Sequence, residues 1–240
     1  MLDRIADGVV VSRAPVSFLG MKLEATMTLL ELAPGRWLAH SPVMLTAERL
    51  AAVEALGDVT HLYSPNTMHH LRLGDWARAF PRAKVHAPPG LLKKRPDLRI
   101  DRVHGALAEP DFTGVIDELR IDGFLLQETV LFHRPSRTLV VTDLVHNVGR
   151  PAHWWTRLYT TLAGFYGRVA LSRVLQLSAF SDRTAARRSV DCLLSLPFER
   201  VVVGHGAPLT ERPREQLEAA LAFLPKPRPA LSAGVPQTCG

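Results

Sequence analysis

The sequence predicts a layered α/β domain, and three observations carry that prediction. Short β-like runs alternate with segments of helical period in a βαβ rhythm. Of the 240 residues, 47% are hydrophobic and 22% charged, a balance that can bury a sizeable core and does not resemble disordered, collagenous or coiled-coil chains. No internal repeat divides the chain, and its one compositionally biased segment is the Pro-rich end. One domain over residues 1–224 with a tail over 225–240 is therefore preferred to two domains.

The elements follow in order. Gly8 to Val11, the alternating run Leu23 to Leu32 and Trp37 to His40 read as an antiparallel meander, with a turn at Pro34-Gly35. At Thr46 the period becomes helical: Thr46 suits an N-cap, Leu50, Val53 and Leu56 share a face, and Gly57 stops the helix. A compact strand, Val59 to Tyr63, leads through Ser64-Pro65-Asn66 into a helix predicted over Met68 to Phe80 and a strand over Lys84 to Ala87. Pro88-Pro89-Gly90 and the charged stretch from Lys93 to Arg99 read as surface loop. Strands resume at Leu119 to Ile121, Glu128 to Phe132 and Thr138 to Thr142, with a turn over Arg134 to Arg137. Pro151 to Ala179 is a helical insertion rich in aromatic residues. Arg183 to Leu196 reads as an amphipathic helix with an N-capped, salt-bridged start at Asp182-Arg183, Arg200 to Val203 as a short buried strand and Pro213 to Leu224 as the closing helix.

Composition narrows the function classes. Lys and Arg outnumber Asp and Glu by 29 to 23, a formal charge of +6 at pH 7, which favours contact with anions without selecting one. Cys192 and Cys239 make neither a disulfide framework nor a CxxC metal knuckle, which fits a reducing compartment. Acidic residues in Met1 to Gly8 stand where a signal peptide needs a basic segment. The most membrane-like stretch, Leu158 to Phe180, contains Arg168 and Arg173, each costing about 3 kcal/mol at mid-bilayer. The expectation is a cytoplasmic protein with no transmembrane segment, its oligomeric state left open. Lys93-Lys94-Arg95 with Arg99 and Arg102 is interleaved with Asp97 and Asp101 and lacks aromatic neighbours for base stacking. A solvated loop is thus favoured over a nucleic-acid contact.

Three polar residues leave strand ends on one side: His69 after Val59 to Tyr63, Asp143 after Leu139 to Thr142, and His205 after Val201 to Gly204. Ligands bind beyond the carboxyl ends of strands in α/β sheets, and two imidazoles with one carboxylate suit a divalent metal that keeps open positions. Each histidine alone also reads as a hydrogen-bonded loop residue. Spacing does not establish convergence.

The order of motifs resembles the metallo-β-lactamase superfamily from Gly8 to Leu224. Ser64-Pro65-Asn66-Thr67-Met68-His69 occupies the place of the His-x-His-x-Asp-His loop, Gly123-Phe124 the mid-chain Gly-His-type turn, Thr142-Asp143 the later acidic ligand, and Gly204-His205-Gly206 the closing Gly-His. Ser-Pro-Asn-x-x-His-His, Trp76-x-x-x-Phe80-Pro81-x-Ala83 and Ser181-Asp182-Arg183 look more narrowly like a divergent bacterial and plant domain family of unassigned function within that superfamily. The resemblance implies a four-layer αβ/βα sandwich. It also implies a degenerate site: Ser64, Asn66, Met68 and Phe124 stand where ligands would be, which leaves one metal position, formed by His69, Asp143 and His205.

The expectation from that resemblance is a hydrolase-like protein holding one divalent ion, Zn²⁺, Fe²⁺ or Mn²⁺, and acting on a small-molecule ester, thioester or phosphoester. His70 and His146 are the candidate proton carriers. His70 or Asn66 is a candidate fourth ligand or substrate contact. Trp154 and Trp155 either wall a pocket over the site or pack on the core. The alternative is a non-catalytic member, without metal, that binds a small molecule or a protein. A β-lactamase is disfavoured, because the multi-imidazole first motif is absent.

Overall fold

The structure, a computed structural model, describes residues 1–225; the Pro-rich tail expected from Pro225 lies, that residue apart, outside the described residues. Strand periodicity decides the layers, since successive side chains point to opposite faces. The first sheet runs β1 (Leu2–Ala6), β2 (Val9–Phe18), β3 (Met21–Ala33), β4 (Arg36–His40), β5 (Asp58–Tyr63), β6 (Lys84–Ala87), β7 (Arg102–Val103) in spatial order. It is antiparallel as far as β4 and parallel from β4 to β7. The second sheet places β11 (Arg200–Val202) beside β10 (Thr138–Val140), then β9 (Thr129–His133) and β8 (Ile116–Arg120). Only its β10–β11 pair is parallel.

Val9 and Val11 of β2 meet Leu131, Val140 and Val202 of the second sheet in a core between the sheets. The alternate residues Val10 and Ala14 face outward under α1 (Ala47–Glu54), α2 (Leu73–Ala79) and α3 (Pro89–Lys94), which bury Val53, Trp76 and Leu91 against them. On the far side, Val130, Phe132, Leu139 and Val201 are covered by α6 (Arg183–Ser195) and α7 (Pro213–Ala220). The result is helices, sheet, sheet, helices. Each fully buried aliphatic or aromatic side chain stabilises this arrangement by about 1.5–3 kcal/mol.

Several expectations hold in detail. Thr46 caps α1 by accepting from Arg49 N–H, and Asp182 caps α6 by accepting from Thr184 and Ala185 N–H. Others are corrected. The helix expected from Met68 begins only at Leu73, because the Asn66 side-chain oxygen ties down the Met68 and His69 N–H groups and holds residues 68–72 in turns. The loop expected from Pro88 contains α3, for which Pro89 supplies a compatible first turn. Strands β1 and β7, each on a sheet edge, carry no clear periodic signal. The insertion consists of α4 (Trp154–Leu162) and α5 (Arg173–Ser178) joined by irregular chain. No helix is long and apolar enough to cross a membrane among the described residues. The basic stretch is engaged internally: Lys94 donates to Thr67 O, Arg95 pairs with Asp97, and Arg99 donates to Pro81 and Ala83 carbonyls.

Candidate metal centre

The sheets are stitched at one edge by Thr26 N–H donating to Gly204 O at 2.9 Å, and there the loops after β5, β10 and β11 meet. His69, Asp143 and His205 converge in that place, their ligand atoms within 4.8 Å of one another. His69 Nε2 lies 3.4 Å from one oxygen of Asp143, and His205 Nε2 lies 3.9 Å from the other. Donors bound to zinc at about 2.1 Å stand about 3.4 Å apart in a tetrahedron, so the group needs little movement to close on an ion.

The second nitrogen of each imidazole is anchored. His205 Nδ1 donates to the Glu24 carbonyl at 2.9 Å; a carbonyl only accepts, so the proton resides on Nδ1 and the neutral ring turns its Nε2 lone pair to the site. His69 Nδ1 lies 2.7 Å from Ser41 Oγ. Anchoring of this kind sets ring orientation and tautomer in metal-ligating histidines. Charge follows the geometry. Burial disfavours the charged form of His69, but the carboxylate of Asp143 outweighs it and raises the imidazole above its ordinary value. Burial opposes ionisation of Asp143 as well, yet His69, His205 and His146 hold it well below the carboxylate range.

Two glycines allow the closing motif. A Cβ on Gly204 would lie 3.0 Å from Thr142 Cα and 3.2 Å from the His69 ring, and one on Gly206, whose φ is +105°, would overlap Asn147 O. Small residues here let the chain after β11 pack against Thr142 and the His69 ring.

The remaining sequence candidates fall in different places. Asn66 is fully buried beneath the site. Its amide nitrogen lies within 2.9–3.1 Å of Glu128, Thr142 and Asp143, so it is a strut and presents no free group to a ligand. His146 is brought to the site, its ring 5.6 Å from that of His205 and its Nδ1 without a hydrogen-bond partner; burial, then His205, lowers its pKa to about 4. His70 is turned towards Arg95, which donates to its Nδ1 at 3.2 Å. Burial, then Lys94 and Arg95, lowers its pKa to about 4. Trp155 donates from Nε1 to Leu19 O, while Trp154 is 70% exposed. Phe124 is packed in the core against Phe180, 4.8 Å between ring centres, far from any ligand role.

One participant went unread. Glu128 is fully buried and accepts the N–H groups of Thr142, Asp143 and Leu144, at 2.8–3.1 Å. It holds the Asp143 turn, and burial, then Asp143, raises its pKa. Its one trace in the sequence is a carboxylate opening an otherwise apolar strand.

No protein-family model and no curated protein matches the sequence. Solved structures do match. A metallo-β-lactamase from Pontibacter korlensis superposes with a TM-score of 0.64 at 12% identity, covering 93% of this chain and 98% of its own. The diflavin flavoprotein A 5 fragment from Nostoc sp. PCC 7120 gives 0.65 at 12% identity, over 93% and 94%. The metallo-β-lactamase FIM-1 from Pseudomonas aeruginosa, in its mono-zinc form, gives 0.60 at 10% identity, over 94% and 96%. The chain has the metallo-β-lactamase fold. Within that metallo-β-lactamase fold, the Ser64-to-His69 loop leaves β5 as its resemblance implied, with Ser64 and Asn66 buried, Met68 39% exposed and His69 turned to Asp143.

Proposed function

We propose that this protein holds one divalent ion at His69, Asp143 and His205 and is a metal-dependent hydrolase of small molecules bearing an ester, thioester or phosphoester. The observation that carries this reading is the pair of Nε2 atoms, each anchored through Nδ1 and each turned to the same carboxylate. A mono-zinc state in a protein of the same fold supports one ion as a workable number. Bound there, such an ion would supply Lewis acidity, lowering the pKa of water and polarising a carbonyl or phosphoryl oxygen.

The chain's own groups provide the rest. His146, whose ring stands 5.6 Å from that of His205, is the candidate to accept a proton and later release it. His70, the other candidate, has its Nδ1 occupied by Arg95, so His146 is preferred. A groove of about 300 Å³ lined by Lys22, Leu23, Glu24, Val148, Pro151 and Gly206 adjoins the site through Glu24 and Gly206, the latter next to His205. Trp154, exposed on the helix whose Thr156 Oγ1 accepts from Lys22 N–H, does not itself line the groove; its role as an outer wall that meets a bound substrate is part of this proposal. Trp154→Ala is expected to raise KM with metal content and kcat unchanged.

A specific observation favours the metal-free, ligand-binding alternative: the Asn66 amide donates to both Glu128 and Asp143, doing between two carboxylates what a cation would do. Elemental analysis of untagged protein beside a His69→Ala/His205→Ala double variant separates the two. One equivalent of metal lost in the variant relative to the unaltered chain, with metal-dependent turnover on an ester panel, supports the hydrolase. Equal metal content in the two proteins after reconstitution with zinc, iron or manganese overturns it in favour of the binding protein.

A further inference from the structure

Away from that edge, the inner face of the first sheet carries an unusual row of polar rings. A bulge in β5, where the pairing advances from Val59 to His61 against Trp37 to Leu38, resets the alternation. Val59 and Leu62 consequently face the helices, and His61 and Tyr63 face the second sheet. His86 of β6 lies opposite Tyr63 in register, and its ring is 5.2 Å from that of His61. Phe112 closes over both imidazoles at 5.2–5.3 Å. Glu109, in the connection ahead of Phe112, sends its buried carboxylate to the same point.

We propose that His61, His86 and Glu109 form a second divalent-metal site, of His₂Glu type, independent of the site at the strand ends. One ring nitrogen from each histidine and one Glu109 oxygen lie within 4.8 Å of one another. His61 and His86 are 0% and 2% exposed, and the Nε2 of each has no hydrogen-bond partner. A buried polar atom left unsatisfied costs about 1–3 kcal/mol, and a shared cation satisfies both. Burial keeps both rings in the neutral form that ligates, with pKa values of about 4 and about 3. The tautomer is already set in the direction ligation needs if Thr60 Oγ1, 2.9 Å away, accepts from His61 Nδ1. Asp111 Oδ2, 3.5 Å from His61 Nε2, is the nearest group for a fourth position. Imidazole with carboxylate is a donor set that zinc accepts readily.

Lys84 is the competitor. Its Nζ lies 2.6 Å from Glu109 Oε1 and 3.2 Å from Asp111, and its side chain is 38% exposed. It can therefore swing to solvent and leave Glu109 to an ion, and the route it vacates is the path of entry. Arg102, 3.2 Å from the other Glu109 oxygen, remains to orient the carboxylate.

The test uses Zn²⁺ alone with the full chain, by equilibrium dialysis and elemental analysis, with circular dichroism as the control for folding. The His69→Ala/His205→Ala variant is expected to keep one equivalent of zinc, and adding His61→Gln or His86→Gln should weaken it by about 100-fold. Lys84→Gln, a change at a half-exposed side chain, should tighten that equivalent by about tenfold because it removes the competing ammonium. This variant decides the matter if the histidine variants do not fold. No zinc bound by folded double variant, either with Lys84 or with Lys84→Gln, overturns the proposal. Zinc lost only on changing His61 or His86, and not on changing His69 and His205, would support this site while overturning the strand-end site.

Discussion

Asn66 shows how one buried amide can serve two purposes. Its oxygen accepts from the Met68 and His69 N–H groups and shapes the loop, while its nitrogen donates to Glu128 and Asp143 and keeps two buried carboxylates apart. Asn66→Ala should cost about 2 kcal/mol by leaving those acceptors unsatisfied. Asn66→Asp, which sets a third carboxylate among them, should cost about 3–5 kcal/mol. Urea midpoints at pH 7 measure the order, and an aspartate tolerated as well as alanine would contradict it. Gly204→Ala acts by crowding. Its Cβ would press on the Thr142 backbone at 3.0 Å and on the His69 ring, so about 1–3 kcal/mol of stability should be lost, with weaker metal retention. Unchanged metal content would show that the two strand ends have room to spare. The candidate ligands themselves were legible in the sequence, because Asp143 and His205 stand at the ends of apolar runs, His69 follows one through a short Pro-containing loop, and the motif order is preserved. Glu128 and Ser41 were not, because what they touch depends on turns formed elsewhere in the chain.

Among the elements, α6 illustrates a helix whose limits follow from local chemistry. Asp182 accepts two N–H groups of the first turn, and Arg187 pairs with Asp191 one turn on. Asp182→Ala should cost about 1 kcal/mol and lower Tm by about 2–4 °C, whereas Asp182→Asn should retain most of the cap; thermal melts of both variants provide the check. The segment after β5 behaves oppositely. Its periodicity from Met68 suits a helix, yet Asn66 captures the N–H groups of residues 68 and 69 first, and the chain turns for several residues before α2 begins. A side chain that hydrogen-bonds the backbone competes with helix formation. That competition turns His69 towards Asp143 and leaves His70 facing Arg95.

At the scale of the whole molecule, the space between the sheets stores neutral imidazoles. Burial, the chief cause in each case, lowers His40, His86 and His104 to about 3 and His61 to about 4, from an ordinary 6.5. Unfolding restores the ordinary value, so below pH 6.5 the unfolded chain binds protons that the folded chain refuses. Stability is therefore fully present above pH 6.5 and is lost as pH falls towards about 3, at about 1 kcal/mol per pH unit for each ring. Chelator-treated protein should show urea midpoints that are level above pH 7 and fall steeply from 6.5 to 5, and His104→Phe should make the fall shallower. A level profile down to pH 5 would mean that these rings are not kept neutral by the fold.

The sequence by itself determined the α/β class, the caps of α1 and α6 and which three residues stand at strand ends as candidate ligands, because each depends on residues that are neighbours in the chain or on an ordered motif. The tertiary structure alone decided that His61, His86 and Glu109 meet, that Asn66 is a strut, that Phe124 belongs to the core and that His146, in place of His70, adjoins the site. These outcomes depend on which strands pair, in what register and with what bulge, and strand pairing across a sheet sets distances between residues that no local periodicity constrains.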